Sequence, residues 1–197
     1  MLVSARICRK PLYHREYWNE GVRGSLRTSV AASLVRLVHP GREAKIVDNL
    51  CGSGTILCEA EKMGLESYGG DRDEEAIAST KENIVEISQD AAERINNQDA
   101  RSTEYPDNEF EIAVSNLPWG KQVDSGSDLF PGVMEEYSRI LKPDGRIVLL
   151  NNHRELVGKY LRENFPGHET GGIRLGMLGQ QPVVSYAVPD EECLNKM

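Results

Sequence analysis

The spacing of apolar positions along this chain changes from segment to segment, and the changes mark out alternating helices and strands. From Ser25 to Val38, Leu26, Val30, Leu34 and Leu37 recur at helical spacing, and Pro40-Gly41 stops the run. Lys45–Leu50 is a short apolar strand. Thr55–Met63 predicts a helix with Ile56, Leu57, Ala60 and Met63 on one face, ended by Gly64. Glu66–Asp71 is the next strand. Asp73 is placed to cap the helix that follows, with Glu74 and Glu75 against its N-terminal dipole. Ile77, Thr80, Ile84 and Ile87 form the buried stripe of that helix.

A weaker strand is expected over Arg94–Asn97, and Phe110–Ser115 is nearly continuous in apolar character, as a central parallel strand is. Leu129–Leu141 reads as a helix with Val133, Tyr137, Ile140 and Leu141 inward. Pro143-Asp144-Gly145 reads as a turn and Ile147–Leu150 as a buried strand. Leu156–Phe165 is helical in pattern. Two late strands, Ile173–Leu178 and Val183–Val188, flank Gly179-Gln180-Gln181-Pro182, which suits a hairpin turn.

Strands alternating with helices predict a doubly wound α/β fold: a mostly parallel, seven-stranded Rossmann-like sheet with an antiparallel C-terminal hairpin. At 197 residues the chain is expected to be a single domain, with 1–44 as N-terminal segment and helix and 45–197 as catalytic core. Ligands of such folds bind beyond the carboxyl ends of the strands, at the topological switch point.

Composition narrows the function classes. Hydrophobic residues at 39% and charged residues at 27% give a soluble globular profile. No apolar run approaches the roughly 20 residues that span a bilayer, and Met1-Leu2-Val3-Ser4-Ala5-Arg6 meets charge too early for a signal peptide. Cys8, Cys51, Cys58 and Cys193 lack paired metal-ligand spacing, so reduced thiols and a cytoplasmic location are expected. His14, His39, His153 and His168 are scattered; they predict surface or capping roles and no metal site.

The net charge of −8 counts against strong independent affinity for nucleic acid. The basic residues that do gather, Arg6, Arg9, Lys10, Arg15, Arg23 and Arg27, lie at the N-terminal end.

Two motifs carry the chemistry. The first is Asp48-Asn49-Leu50-Cys51-Gly52-Ser53-Gly54-Thr55, a glycine loop between strand and helix. Its spacing fits neither the dinucleotide fingerprint nor the P-loop, which disfavours a dehydrogenase. Asp71 ends the second strand, where a carboxylate can accept from ribose hydroxyls or else cap a helix. Asp99 follows the third strand and suits either an adenine amino group or a turn. Asp48 points toward the amino-acid end of a nucleoside cofactor.

The second motif is Asn116-Leu117-Pro118-Trp119. The Asn116 side-chain oxygen and the Leu117 carbonyl can accept the two hydrogens of an exocyclic amine. Pro118 fixes the turn and Trp119 offers a stacking face, worth roughly 1–3 kcal/mol per base. Alternatively, the strand ends in a proline turn and Trp119 merely packs. Trp18 with Tyr13 and Tyr17 reads as a stacking patch or as a partly buried cluster, and Lys121 could meet a phosphate.

With Gly69-Gly70-Asp71, Asp99-Ala100, Glu59-Ala60 and the upstream Leu26-Arg27 and Ala31-Ala32, these motifs resemble the catalytic domain of THUMP-associated RNA guanine-N2 methyltransferases. These are class I enzymes that use S-adenosyl-L-methionine. The resemblance runs from about Arg15 to Val188. It implies methyl transfer to guanosine N2, most readily in tRNA. The implied cofactor pocket comprises Asp48, Cys51, Gly52, Ser53, Gly54, Thr55, Asp71, Arg72, Asp99, Ala100 and Asn116. Asn116, Leu117, Pro118 and Trp119 would hold the target guanine.

The wider class also includes adenine-N6 and protein-glutamine methyltransferases, and a noncatalytic subunit of the same fold is a further alternative. Asn49-Leu50 departs from the family's usual proline and bulky apolar residue. The roughly 20 residues before the first helix are too few for a THUMP domain. RNA capture is therefore expected from a separate RNA-binding partner, a homodimer or a small exposed target, unless the chain is one domain excised from a longer protein.

Overall fold

A computed structural model of the protein describes residues 15, 17, 25–39, 41, 43–118, 129–176 and 181–190. Among them the elements run α1 (Thr28–Val38), β1 (Lys45–Asp48), α2 (Thr55–Lys62), β2 (Glu66–Asp71), α3 (Glu74–Val85) and α4 (Gln89–Glu93). They continue with β3 (Ile95–Asn97), β4 (Phe110–Asn116), α5 (Leu129–Ile140), β5 (Leu141–Asn151), α6 (Arg154–Asn164), β6 (His168–Arg174) and β7 (Val183–Pro189). The strands form one sheet in the order β3-β2-β1-β4-β5-β7-β6. Pairings from β3 through β5 are parallel, and β7 is antiparallel to both β5 and β6. The doubly wound sheet with an antiparallel C-terminal pair is the predicted architecture.

Alternation along the central strands shows why both faces need cover. Ile112, Val114, Val148 and Leu150 join the cluster under α1 and α2, with Leu34, Val35 and Ile56. Ala113, Leu117, Ile147 and Leu149 join the opposite cluster, under α5 and α6, with Val133, Tyr137 and Leu161. A strand buried on both sides reads as an unbroken apolar run, which is the pattern of Phe110–Val114 apart from Glu111. Glu111 escapes burial in isolation by accepting from the Lys45 amide at 2.8 Å and from Lys142 Nζ.

The chain order reverses between β1 and β4, where Ile46 lies beside Ile112 and Val47 beside Ala113. That switch point places the segment after Asp48 next to the segment after Ser115. Both predicted motifs therefore open on the same edge.

Three expectations are corrected. Pro143-Asp144-Gly145 does not separate a helix from a strand, because β5 begins at Leu141. Between Phe110↔Leu141 and Ile112↔Arg146 the register shifts, so the tripeptide is an irregular excursion within one strand. The sixth strand is His168–Arg174, ahead of the expected Ile173–Leu178. It is an edge strand, half-buried to exposed along its whole length, so it carries no apolar alternation to read. The Gly179–Pro182 turn lies partly outside the described residues. Finally, α4 was not anticipated; it is one short turn-and-a-half, capped by the Ser88 hydroxyl accepting from the Ala91 amide.

Phe110 is fully buried and sits edge-on to Tyr68 at 5.2 Å and to Tyr105 at 4.9 Å between ring centres. Phe110→Ala should lower the unfolding free energy by about 3–5 kcal/mol. Leu37→Ser, on a side chain 52% exposed, should stay within about 0.5 kcal/mol. Urea unfolding of both variants checks this; equal losses would mean the aromatic cluster is not a core element.

Candidate active site

The glycine loop is shaped by backbone that other residues resist. Gly52 and Gly54 have φ of +55° and +75°, the left-handed region in which a Cβ is strained. At Gly54 a Cβ would also stand 2.6 Å from Thr80 Cγ2, so the start of α2 lies hard against α3. The Cys51 amide donates to the Gly70 carbonyl at 3.0 Å and the Gly54 amide to the Cys51 carbonyl at 2.8 Å.

Two α3 side chains hold the loop from outside. Thr80 Oγ1 donates to the Gly52 carbonyl at 2.7 Å, and Asn83 Nδ2 donates to the Ser53 carbonyl at 3.0 Å. Sequence reading placed Thr80 in a packing stripe and missed Asn83. The available signal was an amide residue on the inward side of an amphipathic helix, which is buried only with a partner.

Asp71 closes the loop from β2. It accepts from the Gly52 amide at 3.0 Å through Oδ2 and from the Asp73 amide at 3.1 Å through Oδ1. Asp73 takes the capping role on α3, accepting from the Glu75 amide at 2.9 Å. The helix-cap alternative for Asp71 is thereby filled by its neighbour. Arg72 is exposed between them.

Asp99 lies beyond β3. Arg101 grips it through Nη2 at 2.6 Å and Nε at 3.0 Å. That guanidinium holds the carboxyl down to about 2. Ala100 is buried beside it. An open cleft of about 470 Å³ adjoins, lined by Asp99, Arg101, Ser102, Pro131, Gly132 and Glu135.

Asp48 has one of its two oxygens engaged within the protein. It is 1% exposed, and its Oδ1 accepts from Ser115 Oγ and from the Leu50 amide at 3.1 Å. Ser115 Oγ is in turn 2.5 Å from the Tyr137 hydroxyl, which accepts from the Asn49 amide at 3.1 Å. Because Ser115 Oγ uses its one hydrogen on Asp48, the Tyr137 hydroxyl donates to Ser115 while accepting from the Asn49 amide. Burial pushes the Asp48 carboxyl up to about 7; the two hydrogen bonds oppose this and the nearby Asp71 charge adds to it. Burial likewise pushes Tyr137 and Cys51 well up. Neither Ser115 nor the Tyr137 hydroxyl was legible as a site element.

At the second motif, β4 ends with Asn116 and the Leu117 amide donates to the Leu150 carbonyl at 2.9 Å. This bond carries sheet pairing one residue past the strand and fixes where the chain turns at Pro118. The Leu117 side chain is fully buried. Among the described residues, Asn116 Oδ1 is buried with no hydrogen-bond partner. Trp119, and with it Lys121, Trp18, Tyr13 and Arg23, lies outside the described residues. Tyr17 is buried at 3%; its hydroxyl donates to Glu59 at 2.5 Å, beside Arg15 Nε at 2.6 Å to the same oxygen. The packing alternative for Tyr17 is the observed one. No group of three metal-ligating side chains occurs among the described residues, and no described helix is long and apolar enough to cross a membrane.

Residues 15–179 match the family model described as RMKL-like, methyltransferase domain. The human "U6 snRNA (guanine-N(2))-methyltransferase THUMPD2" is 29% identical over 66% of this chain and 27% of the relative. The "tRNA (guanine(6)-N2)-methyltransferase" of Thermus thermophilus is 28% identical over 83% of this chain and 50% of the relative. The crystal structure of TrmN from Thermus thermophilus superimposes with a TM-score of 0.72 at 26% identity, covering 85% of this chain and 50% of that one. The chain thus spans between about a quarter and a half of these relatives' lengths.

The Asp48 carboxyl has a consequence for stability. Its folded value, about 7, lies above its ordinary 3.8, so folding favours the protonated form. The stability this contributes is complete below about pH 4 and lost as pH rises through about 7. Relative to Asp48→Asn, the urea midpoint of the native protein should fall between pH 4 and pH 7 and run parallel above pH 8. Parallel profiles over the whole range would refute the assignment.

Proposed function

Because the chain belongs to the RMKL-like methyltransferase family, we propose that it transfers a methyl group from S-adenosyl-L-methionine to the exocyclic N2 of guanosine in RNA, in the first instance tRNA. The observation that carries this is Asn116 Oδ1, a buried acceptor at the switch point without a partner among the described residues. Leaving such an atom unsatisfied costs about 1–3 kcal/mol. An amine hydrogen supplied by a substrate removes that cost.

The residues present fit the cofactor. Gly52 and Gly54 leave the loop backbone bare at the β1 end, and Asp71 keeps lone pairs beyond those used by the Gly52 and Asp73 amides. Asp71 is assigned to the ribose hydroxyls and Asp99, with Arg101, to the adenine end beside the open cleft. Gly52, Ser53, Gly54 and Thr55 form the cradle, with Cys51, Arg72 and Ala100 at its margins. Asp48 acts behind the loop: its bond to the Leu50 amide and its link to Ser115 fix the loop against β4. Bound there, the cofactor supplies an electrophilic methyl on a sulfonium.

The exocyclic nitrogen of guanine is a weak nucleophile because its lone pair is delocalised into the ring. Asn116 Oδ1 and the Leu117 carbonyl, each accepting one N–H, let that nitrogen pyramidalise and aim its lone pair. Pro118 sets the separation of the two acceptors, and Trp119 is assigned to stack on the base. Catalysis is then positioning and electrostatics, with no strong base at the moment of transfer. An acidic chain of net charge −8 gains its RNA contact from a separate RNA-binding partner, a homodimer or further domains of a longer protein, in the cytoplasm.

Transfer of isotope-labelled methyl groups into unmodified tRNA, U6 snRNA, rRNA, DNA and a glutamine-bearing protein fragment, with nucleoside mass analysis, tests the proposal. Label is expected in N2-methylguanosine, with kcat about 100-fold lower in Asn116→Ala at an unfolding midpoint that is not lowered. Label in N6-methyladenosine or methylglutamine would replace the substrate. A chain that binds no cofactor would be a noncatalytic member of the fold.

A further inference from the structure

Four buried side-chain polar atoms among the described residues have no hydrogen-bond partner: Asn49 Nδ2, Asn116 Oδ1, His153 Nε2 and His168 Nδ1. Their placement is uneven. Asn49 follows β1, Asn116 ends β4, and His153 stands two residues after β5. All three are at the carboxyl edge of adjacent parallel strands. His168 is at the other edge, where it pairs with Pro189 at the far end of β7 and its Nε2 reaches the Gly145 carbonyl.

The function described above uses Asn116 but neither Asn49 nor His153, and of these two His153 follows β5, the neighbour of β4 on the side away from the glycine loop. His153 occupies the N-cap position of α6 yet makes no side-chain cap. Its backbone is held firmly: the His153 amide donates to Asn151 Oδ1 at 3.0 Å. Asn151 Nδ2 in turn donates to Ser185 Oγ and to the Leu149 and Val183 carbonyls at 3.0–3.2 Å. The ring packs on Phe130 at 5.4 Å between centres. Phe130 belongs to the same cluster as Leu117. Asn116 pairs with Leu150 in register, and His153 follows three residues after Leu150, so both Asn116 and His153 stand at the same edge of the sheet. A side chain this well braced, with its polar tip unsatisfied, is not explained by helix capping.

We propose that His153 Nε2 hydrogen-bonds the 6-oxygen of the target guanine and is a specificity-determining residue of the proposed reaction. The inference rests on the guanosine-N2 reading. Guanine carries its 2-amine and 6-oxygen at the two ends of one edge, separated by about the spacing of adjacent strands, ~4.8 Å. With the 2-amine on Asn116 at the end of β4, the 6-oxygen falls toward the end of β5. The Asn116-Leu117 acceptors alone do not distinguish one planar amine from another, whereas a partner for the 6-position makes the edge recognisable.

The RNA in which the preceding assay finds label is rebuilt by ligation of synthetic halves, with guanosine or 2-aminopurine riboside at the methylated position. Both bases present the 2-amine, but 2-aminopurine has only hydrogen at position 6. The native protein should prefer guanosine in kcat/KM. His153→Phe, which keeps a ring against Phe130, should shrink that preference about 10-fold while cofactor affinity and unfolding midpoint hold. His153→Gln, which keeps a hydrogen-bonding group, should restore much of it. Taking the ratio within each protein cancels the intrinsic reactivity of the two bases. A preference that survives in His153→Phe within about twofold, or equal losses on both bases with a lowered midpoint, would make His153 a packing residue and overturn the proposal. If the native protein methylates no guanosine, the underlying function fails instead and this inference with it.

Discussion

The Tyr137 hydroxyl is the point through which the two halves of the site hold each other. It accepts from the Asn49 amide on one side and donates to Ser115 on the other, and Ser115 donates to Asp48. Asn49 begins the glycine loop and Ser115 precedes Asn116, so one fully buried phenol from α5 ties the glycine loop to the end of β4. The sheet alone cannot do this, because the β1–β4 pairing covers only Ile46↔Ile112 and Val47↔Ala113. Beyond Val47, β1 ends at Asp48 while β4 runs on to Asn116 against β5, and side-chain bonds take the place of the β1–β4 ladder. On the proposed function, methyl transfer needs donor and acceptor atoms aligned closely, and this small dry network is where positional error would be suppressed.

A satisfied network sits next to unsatisfied atoms, and the contrast separates scaffold from ligand surface. Asp48, Ser115, Tyr137, Thr80 and Asn83 all find protein partners. Asn49 Nδ2, Asn116 Oδ1 and His153 Nε2 do not. Buried polar atoms of a folded protein are overwhelmingly paired, so three atoms without a partner among the described residues, along one edge of one sheet, set that edge apart from the scaffold beneath it. Gln98 Nε2 reaches Asn49 Oδ1 at 3.2 Å, which orients that amide and leaves its nitrogen as the open end.

What the sequence disclosed, and what it hid, follows from the range of the forces involved. The glycine loop, the β2 strand ending at Asp71 and the Asp73 cap depend on neighbours within a few residues, so local pattern sufficed. The central strands were readable because burial on both faces leaves a continuous apolar run. Phe110–Ser115 fell one residue short of the true strand only because Asn116 is polar. β6 was displaced because an exposed edge strand selects no alternation, and the Pro143 excursion was taken for an end because a bulge and a turn share their residues. At the site, Asn116 stood out by type and position. Asn83, Ser115, the Tyr137 hydroxyl and His153 did not, since each has its role from contacts across 22 or more residues or from a neighbouring strand. His153 in particular looks like any helix-start histidine until the register of β4 and β5 is known.

Charge also divides the site. Asp48, Asp71 and Asp99 gather at the ends of β1 and β2 and beyond β3, and only Asp99 has a guanidinium upon it among the described residues. With Asp48 protonated below about pH 7 and Asp99 paired with Arg101, Asp71 supplies the lasting negative charge, which attracts a cation and opposes phosphate. The β4–β5 side is different: Asn116, Leu117, Asn151 and His153 bring amides, a ring and apolar surface, without a carboxylate among them. On the proposed function, then, RNA approaches over β4 and β5 while the cofactor occupies β1 and β2, and the switch point is the line where the two meet. A base turned out of its strand can cross that line, but a phosphodiester backbone is held back from it. Grip on the backbone therefore has to come from surfaces other than this acidic half. The division of labour between a methyl-transferring domain and a separate RNA-binding element is, on this view, imposed by the electrostatics of binding a positively charged donor beside a polyanion.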